Sequence, residues 1–181
     1  MSASSFSALF DEWYNWAMEP LRQSVTRPRL TEEVQPEDCR DLAALHEASF
    51  PSGWGEDDLQ RMLADEAVLA RLVRPLGLLG AGPAEGFILA RRAADEGEIL
   101  TIAVDPRARS RGLGAQLLDA ALFELRVHGV QAVFLEVAET NVAAVRLYRR
   151  RGFRTVGERP AYSTAEDGSK ARALVMRRQY E

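Results

Sequence analysis

The segment IAVDPRARSRGLGAQLL, residues 102–118, joins a predicted strand to a predicted helix. Gly112 and Gly114 let the backbone approach a ligand closely, and the first amides of the helix form a binding site for an anion. Further positive charge at this turn comes from arginines at positions 107, 109 and 111. The pattern Arg-x-x-Gly-x-Gly therefore predicts a cradle for a phosphorylated cofactor.

Two other phosphate-binding patterns do not fit this chain. A dinucleotide-binding fold has G-x-G-x-x-G at its first strand–helix turn and an acidic residue about 20 positions later. Here the glycines read x-x-G-x-G in the middle of the chain, and there is no G-K-[ST] of a P-loop. The other glycine-rich run, 77–82, precedes Pro83 and a strand, so we interpret it as a hairpin loop.

The composition is that of a single globular domain. The chain has 181 residues, of which 46% are hydrophobic and 28% charged. A net charge of −4 argues against a general nucleic-acid-binding protein. Cys39 is the sole cysteine, and His46 and His128 have no partner at ligand spacing, so we expect neither a disulfide nor a metal.

The start of the chain, MSASSFSALFDEW, has no basic leader region. No uninterrupted apolar run approaches the length of a membrane span. We therefore expect a cytoplasmic protein with no membrane partner and no nucleic-acid partner.

Periodicity and turn residues predict an α/β domain with a mixed sheet over residues 28–181. Predicted helices cover 36–50, 56–65, 112–128 and 141–152. Predicted strands cover 29–34, 96–104 and 130–139, followed by FRTVGERPAY and ARALVMRRQ. The strand 130–139 is apolar on both faces, as expected of a buried central strand. The stretch 67–92 is ambiguous, with strand-like AVLARLV and EGFILARR on either side of the glycine-rich run.

Residues 1–27 form a separate appendix of helix and linker. An amphipathic helix over 4–18 is predicted by the helical spacing of Phe6, Leu9, Phe10, Trp13, Trp16 and Ala17. Two interpretations are open. The helix packs on its own domain, because exposed aromatic side chains are costly, or it binds a partner or a second copy of the chain.

The turn between the strand and the helix of segment 102–118 resembles the acetyl-CoA signature of the GNAT acetyltransferases, [RQ]-x-x-G-x-[GA]. The next segment, FLEVAETNVAAVRLYRRRGF, resembles the second half of that fold. Within the family, LEV-x-x-x-N-x-x-A-x-x-LY-x-x-x-GF is similar to the ribosomal-protein-alanine N-acetyltransferases. The resemblance is strong over about 98–178, is weaker over 28–97 and does not extend to 1–27.

The resemblance implies the GNAT fold, a mixed and mostly antiparallel sheet with helices on both faces. It implies acetyl-CoA as co-substrate, its pyrophosphate on the helix amides and its pantetheine along the strand that ends at Val104. A backbone N–H of that strand would polarise the thioester carbonyl. The implied cofactor-binding residues are Ile102, Val104, Arg109, Ser110, Arg111, Gly112, Leu113, Gly114, Ala115, Asn141, Ala144 and Tyr148.

Two carboxylates are candidates for the general base. Glu136 lies in the middle of the apolar strand VFLEVA, and a buried carboxylate is costly unless it is paired or used. The resemblance implies that Glu136 is the general base, because it matches the base of the alanine acetyltransferases. Glu98 is the rival, because other GNAT enzymes have a base on the preceding strand; its alternative role is a solvated surface carboxylate.

Tyr148 is the candidate acid that protonates the departing sulfur. Asn141, Ala144 and Tyr148 share one face of the predicted helix, which the resemblance assigns to the cofactor. The structural alternative is that Asn141 is only an N-cap and Tyr148 only a core residue.

On the acceptor side, the resemblance points to Trp54 and Tyr162. The family often has paired tyrosines late in the chain, whereas this chain reads Arg159-Pro160-Ala161-Tyr162 and keeps only the second. The expected acceptor is the N-terminal amine of a protein, beginning with alanine, and the expected state is monomer or homodimer. The alternatives are a small amine or a lysine as acceptor, or a non-catalytic module that binds acyl-CoA or a partner.

Overall fold

The computed structural model describes residues 28–77, 80–164 and 170–180. Its strands are β1 (Arg29–Glu33), β2 (Val68–Gly77), β3 (Gly80–Ala81), β4 (Gly86–Ala93), β5 (Glu96–Val104), β6 (Ala132–Ala138), β7 (Arg154–Thr164) and β8 (Lys170–Gln179). Its α-helices are α1 (Cys39–Glu47), α2 (Glu56–Leu63), α3 (Leu113–Val127) and α4 (Val142–Arg150). The helix predicted over 4–18 lies outside the described residues.

The strands form a mixed sheet in the order β1-β2-β4-β5-β6-β8-β7, and the short β3 pairs with β2. Neighbouring strands are antiparallel except for β5 and β6, which run parallel. The ambiguous stretch 67–92 supplies β2 and β4, two strands inside the sheet. The predicted mixed, mostly antiparallel sheet is confirmed.

Helices cover both faces of the sheet, as predicted. On one face α3 and α4 bury a cluster that includes Leu117, Leu125 and Tyr148. On the other face α1 and α2 bury Leu42 and Leu59 in one cluster with side chains of β2, β4 and β5. Each fully buried leucine stabilises the fold by about 1.5–3 kcal/mol relative to an exposed one. In the described part of the chain, no helix is long and apolar enough to cross a membrane.

The helix predicted over 36–50 is shorter in the structure. It begins with a 3-10 turn at Pro36–Asp38, and the α-helix ends at Glu47. The Asp38 carboxylate accepts the Gln35 N–H at 2.8 Å. Proline at the first position of the turn and this capping bond together define where the segment begins.

Candidate active site

The parallel strands β5 and β6 separate partway along their length. Their pairing ends at Ile99 and Leu135, after which β5 continues to Val104 and β6 to Ala138. β5 also carries a bulge at Leu100, which is skipped in its pairing with β4. A bulge bends its strand and increases the local twist. The carboxyl-terminal halves of the two strands therefore border a gap in the sheet.

The β5 edge of this gap presents backbone N–H groups. The Asp105 N–H donates to Glu85 O at 2.9 Å, so this N–H points toward β4 and away from the gap. Successive residues of a strand direct their N–H groups to opposite edges, so the N–H groups of Ile102 and Val104 point into the gap. They are positioned to bind a carbonyl oxygen between β5 and β6.

The loop between β5 and α3 combines two residues with left-handed backbone. Ser110 has φ +61° and Gly112 has φ +81°. Gly112 is the N-cap of α3, and within the described chain no side chain bonds to the amides of that first turn as a cap. Amides at an uncapped helix N-terminus attract an anion. The loop, exposed from Arg109 to Gly112, fits the predicted cradle for a phosphorylated cofactor.

The three arginines of this loop have different partners. Arg107 donates to both carboxylate oxygens of Asp105, at 3.1 and 2.8 Å, and these bonds lower the pKa of Asp105. Arg109 Nε donates to Val104 O at 3.1 Å, at the mouth of the gap. Arg111 is exposed and forms no hydrogen bond or ion pair with the residues that the structure describes. The predicted positive charge is therefore neutralised at Arg107 and remains available at Arg111.

The first turn of α3 brings three elements close together. Leu113 is buried, whereas Gly114 and Ala115 are half-buried. A Cβ added at Gly114 would lie 3.5 Å from Leu147 Cδ2 of α4 and 3.9 Å from Val104 Cγ2 of β5. These are ordinary contact distances, so the packing of the protein itself leaves room for a methyl group at position 114.

The structural roles considered for Asn141 and Tyr148 are both present. Asn141 Oδ1 accepts the Ala144 N–H at 3.1 Å as the N-cap of α4. Tyr148 is 8% exposed and packs edge-on against Phe153, with ring centroids 5.8 Å apart. Burial raises the pKa of Tyr148 to about 12, so its hydroxyl keeps its proton at neutral pH. Their cofactor contacts, and those of the half-buried Ala144, stay predictions.

A cavity of about 550 Å³ lies on the sheet face that α1 and α2 cover. Both predicted bases, Glu98 and Glu136, line it, as does Trp54. Glu98 pairs with Phe134 in the parallel register, and Glu136 follows two residues later, so both carboxylates project from the same face. Two strands that are distant in sequence therefore contribute one acidic group each to a single cavity.

Glu136 is not buried, contrary to the prediction. Its side chain is 40% exposed, and Oε1 accepts from Arg159 Nη1 at 2.7 Å. The cluster beneath α1 and α2 contains residues of β2, β4 and β5 but none of β6, so this face of β6 is less covered. The prediction that this strand is buried on both faces is wrong at its carboxyl-terminal end, where Ala138 is exposed as well.

Glu98 also has an arginine partner. Its Oε2 accepts from Arg91 Nη2 at 2.8 Å, and its side chain is 47% exposed. Arg91 and Glu98 are directly paired in β4 and β5. Glu98 is therefore a solvated carboxylate, as its structural alternative stated, and at the same time part of the cavity lining.

A histidine contacts Trp54, the residue predicted to bind the acceptor. The Trp54 N–H donates to His46 Nδ1 at 2.9 Å, and the two rings stack with centroids 4.5 Å apart and 7° between their planes. His46 is buried, and burial lowers its pKa. Sequence reasoning found no role for His46 because the contact forms only when the turn after α1 folds back.

Arg159 and Tyr162 both lie on β7. The sequence pattern marks Arg159 only as a departure from paired tyrosines, because its contact with Glu136 depends on β7 lying two strands from β6. Tyr162 has its backbone in β7, and its side chain is outside the described part of the structure. Within the described ranges, no group of three or more His, Cys, Asp or Glu side chains could hold a metal ion.

The sequence profile of the acetyltransferase (GNAT) family matches residues 10–153. The chain belongs to this family, and its sheet and helices are those of the GNAT fold. The family and fold that the resemblance implied are thus confirmed.

Individual relatives include enzymes that acetylate a ribosomal protein. The chain is 36% identical over 95 residues to [Ribosomal protein bS18]-alanine N-acetyltransferase of Escherichia coli K12, covering 52% of this chain and 64% of that protein. It is 32% identical over 90 residues to the protein of that name from Haemophilus ducreyi, covering 50% and 62%. The matched region thus spans less than two thirds of these curated relatives.

Solved structures extend the similarity over more of the chain. The ribosomal-protein-S18-alanine N-acetyltransferase of Escherichia coli is 26% identical with a TM-score of 0.74, covering 84% of this chain and 94% of that one. Ard1 of Thermoplasma volcanium is 27% identical with a TM-score of 0.70, covering 84% and 98%. Arabidopsis thaliana NAA60 in complex with acetyl-CoA, 19% identical with a TM-score of 0.72 over 84% and 98%, shares the fold.

Proposed function

We propose that this protein transfers the acetyl group of acetyl-CoA to the N-terminal α-amine of a protein, by direct attack in a ternary complex. The observation that carries the proposal is the position of two carboxylates, Glu98 and Glu136, in one cavity beside the β5–β6 gap. Family membership supports acetyl transfer, and the names of the curated relatives support an alanine-initiated protein as acceptor.

The loop before α3 has the chemistry that acetyl-CoA requires. The amides that follow Gly112, together with Arg111, would hold the pyrophosphate, because an uncapped helix N-terminus and a guanidinium both favour an anion. When bound, acetyl-CoA supplies a thioester carbonyl for attack by an amine. The N–H groups of Ile102 and Val104 provide donors to an oxygen that gains negative charge in the gap.

Glu136 is the proposed base. An α-amine has a reference pKa of about 7.7–8.0, against about 10.4 for lysine, so a carboxylate acting directly or through water suffices for an N-terminus. Glu136 lies next to the open part of the gap, whereas Glu98 lies where β5 and β6 are still paired. The nucleophile is thereby deprotonated nearer to the donors of β5.

Tyr148 is the proposed acid. Its hydroxyl retains its proton at any physiological pH because burial raises its pKa to about 12. A thiol has a reference pKa of about 8.5, so the departing thiolate is too weak a base to take this proton completely. Tyr148 therefore acts by donating a hydrogen bond to the sulfur, which stabilises the negative charge that develops as the carbon–sulfur bond breaks.

The acceptor class is tested with two peptides and acetyl-CoA in one tube, read by mass spectrometry. One peptide begins with a free alanine and lacks lysine; the other is blocked at its N-terminus and contains lysines. Acetylation of the first alone is expected. Acetylation of the second alone would contradict the proposed acceptor while retaining the enzyme.

The base is tested with Glu136→Gln and its matched control Glu98→Gln, both in the same cavity. Glu136→Gln is expected to lower kcat at least about 100-fold, the usual contribution of a general base, while acetyl-CoA binding measured by calorimetry is unchanged. A larger loss in Glu98→Gln would move the base to β5. Tight acetyl-CoA binding with no turnover of any amine would instead support a non-catalytic module.

A further inference from the structure

α3 carries two exposed apolar side chains on its outer surface. Phe123 is 72% exposed and Val127 is 67% exposed. With Gln116 and Ala120 they follow the spacing i, i+4, i+7, i+11, so the four side chains lie along one flank of the helix. We call these four residues the Phe123 stripe. Two adjoining exposed apolar side chains are stabilised when another element covers them.

The stripe faces the edge of the sheet formed by β1. Gln116 Nε2 donates to Thr31 Oγ1 of β1 at 2.7 Å. Arg71 of β2 lies between Glu124 of α3, at 2.7 Å, and Glu33 of β1, at 3.7 Å. β1 ends the strand order of the described sheet. Proteins commonly cover such an edge with a helix or a loop.

We propose that residues 4–18 of this chain bind the Phe123 stripe as an amphipathic helix and cover the edge of β1. The described chain begins at Pro28, immediately before β1, so residues 1–27 start from the end of the strand that borders the stripe. Residues 19–27 can span about 30 Å when extended. The stripe from Gln116 to Val127 is about 16 Å long at 1.5 Å per helical residue.

The apolar side chains of residues 4–18 match this surface in kind. The spacing of Phe6, Phe10 and Trp13 predicts that they share one face of a helix, with Asp11 on the opposite face. A tethered segment binds at a high effective concentration, which favours it over a free partner or a second copy. The binding uses the Phe123 stripe and the side of β1 that faces α3, and it does not require acetyl transfer.

Tryptophan fluorescence tests the proposal in the full-length protein. The chain has three tryptophans, so Trp54→Phe leaves Trp13 and Trp16 as reporters of the segment. In the Trp54→Phe protein, the fluorescence emission of Trp13 and Trp16 is expected to be blue-shifted relative to solvent-exposed tryptophan and only weakly quenched by acrylamide. Adding Phe123→Asp and Val127→Asp is expected to shift the emission to the red and raise the quenching constant several-fold.

The matched control replaces a second pair of exposed apolar side chains, Leu30→Asp with Leu76→Asp. These two leucines are 43% and 41% exposed. Leu30 is adjacent to Thr31 in β1 and so lies on the face away from α3. The control is expected to leave the fluorescence unchanged. Exposure of the reporters by the control alone would overturn the proposal, since the segment would then bind the other face.

Two further outcomes would also refute binding within one chain. Reporters already exposed in the Trp54→Phe parent would show that the segment is not bound. Protection that disappears on dilution, together with dimer dissociation in light scattering, would assign the stripe to a second copy. Circular dichroism checks the fold, and Phe123→Ala with Val127→Ala removes the apolar area without adding charge if the aspartates prevent folding.

Discussion

Replacing Gly112 by alanine isolates the backbone requirement of the cradle. Gly112 has φ +81° and ψ 2°, and a Cβ added there would meet nothing within 4 Å. The cost of the substitution is therefore conformational and not steric. Left-handed backbone costs a residue with a side chain about 1–2 kcal/mol. For a domain of this size each kcal/mol lowers Tm by about 2–4 °C, so Gly112→Ala is expected to lower Tm by about 2–8 °C.

Gly114→Ala is the matched control and has the opposite expected sign. Position 114 lies in the first turn of α3, has no left-handed φ, and would place its methyl group 3.5 Å from Leu147 Cδ2. Alanine is favoured over glycine in a helix by up to about 1 kcal/mol. The Tm of Gly114→Ala is therefore expected to be unchanged or higher by a few degrees, at about 2–4 °C per kcal/mol.

Two measurements complete this comparison. Differential scanning calorimetry gives the two Tm values, and isothermal titration gives acetyl-CoA affinity. Gly112→Ala is expected to weaken binding, because relief of the left-handed strain turns the first amides of α3 away from the anion. Equal Tm shifts in both variants, or unchanged affinity in a destabilised Gly112→Ala, would refute the assignment of the cradle to this backbone conformation.

Three shorter predictions concern the rest of the site. Tyr148→Phe is expected to lower kcat at least about 100-fold with little change in Tm. The kcat of the wild-type protein should not fall as the pH rises from 8 to about 10, because the pKa of Tyr148 is about 12. A fall in kcat that follows a tyrosine pKa near 10 would contradict the role. Burial lowers the pKa of His46, so the unfolded chain binds its proton first, and the free energy of unfolding is expected to decrease as the pH falls below about 6.5. Thermal scans between pH 8 and 5 should show a smaller decrease in His46→Gln, together with a raised acceptor KM from the loss of support for Trp54. Arg159→Gln is expected to change the free energy of unfolding by less than about 1 kcal/mol, because the ion pair with Glu136 is well exposed. The same variant is expected to alter kcat/KM for the acceptor. A large change in the free energy of unfolding from denaturant titration, with kcat/KM unchanged, would make the pair purely structural.

The strand, turn and helix of the predicted cofactor cradle were predictable from sequence because their residues are contiguous. The strand before Asp105, the turn with Gly112 and the helix after it are local structures whose signals lie within a few residues of each other. The N-cap at Asn141 and the inward face with Tyr148 follow in the same way from helical spacing. Local backbone preferences and apolar periodicity suffice for such elements.

The cavity with Glu98 and Glu136 was not predictable to the same degree, because it depends on which strands become neighbours. The sequence by itself determined the four helices, the strands outside the ambiguous stretch 67–92, the glycine-containing turn before α3 and the candidates Glu98 and Glu136. Only the tertiary structure decided that β5 and β6 are parallel neighbours that separate after Ile99, and the register of their paired part places both carboxylates at one cavity. It also decided that Glu136 is solvated and paired with Arg159, since β7 and the limited cover over β6 are products of sheet topology. Contacts between residues far apart in the chain depend on packing free energy summed over the whole domain, and no local pattern encodes that sum.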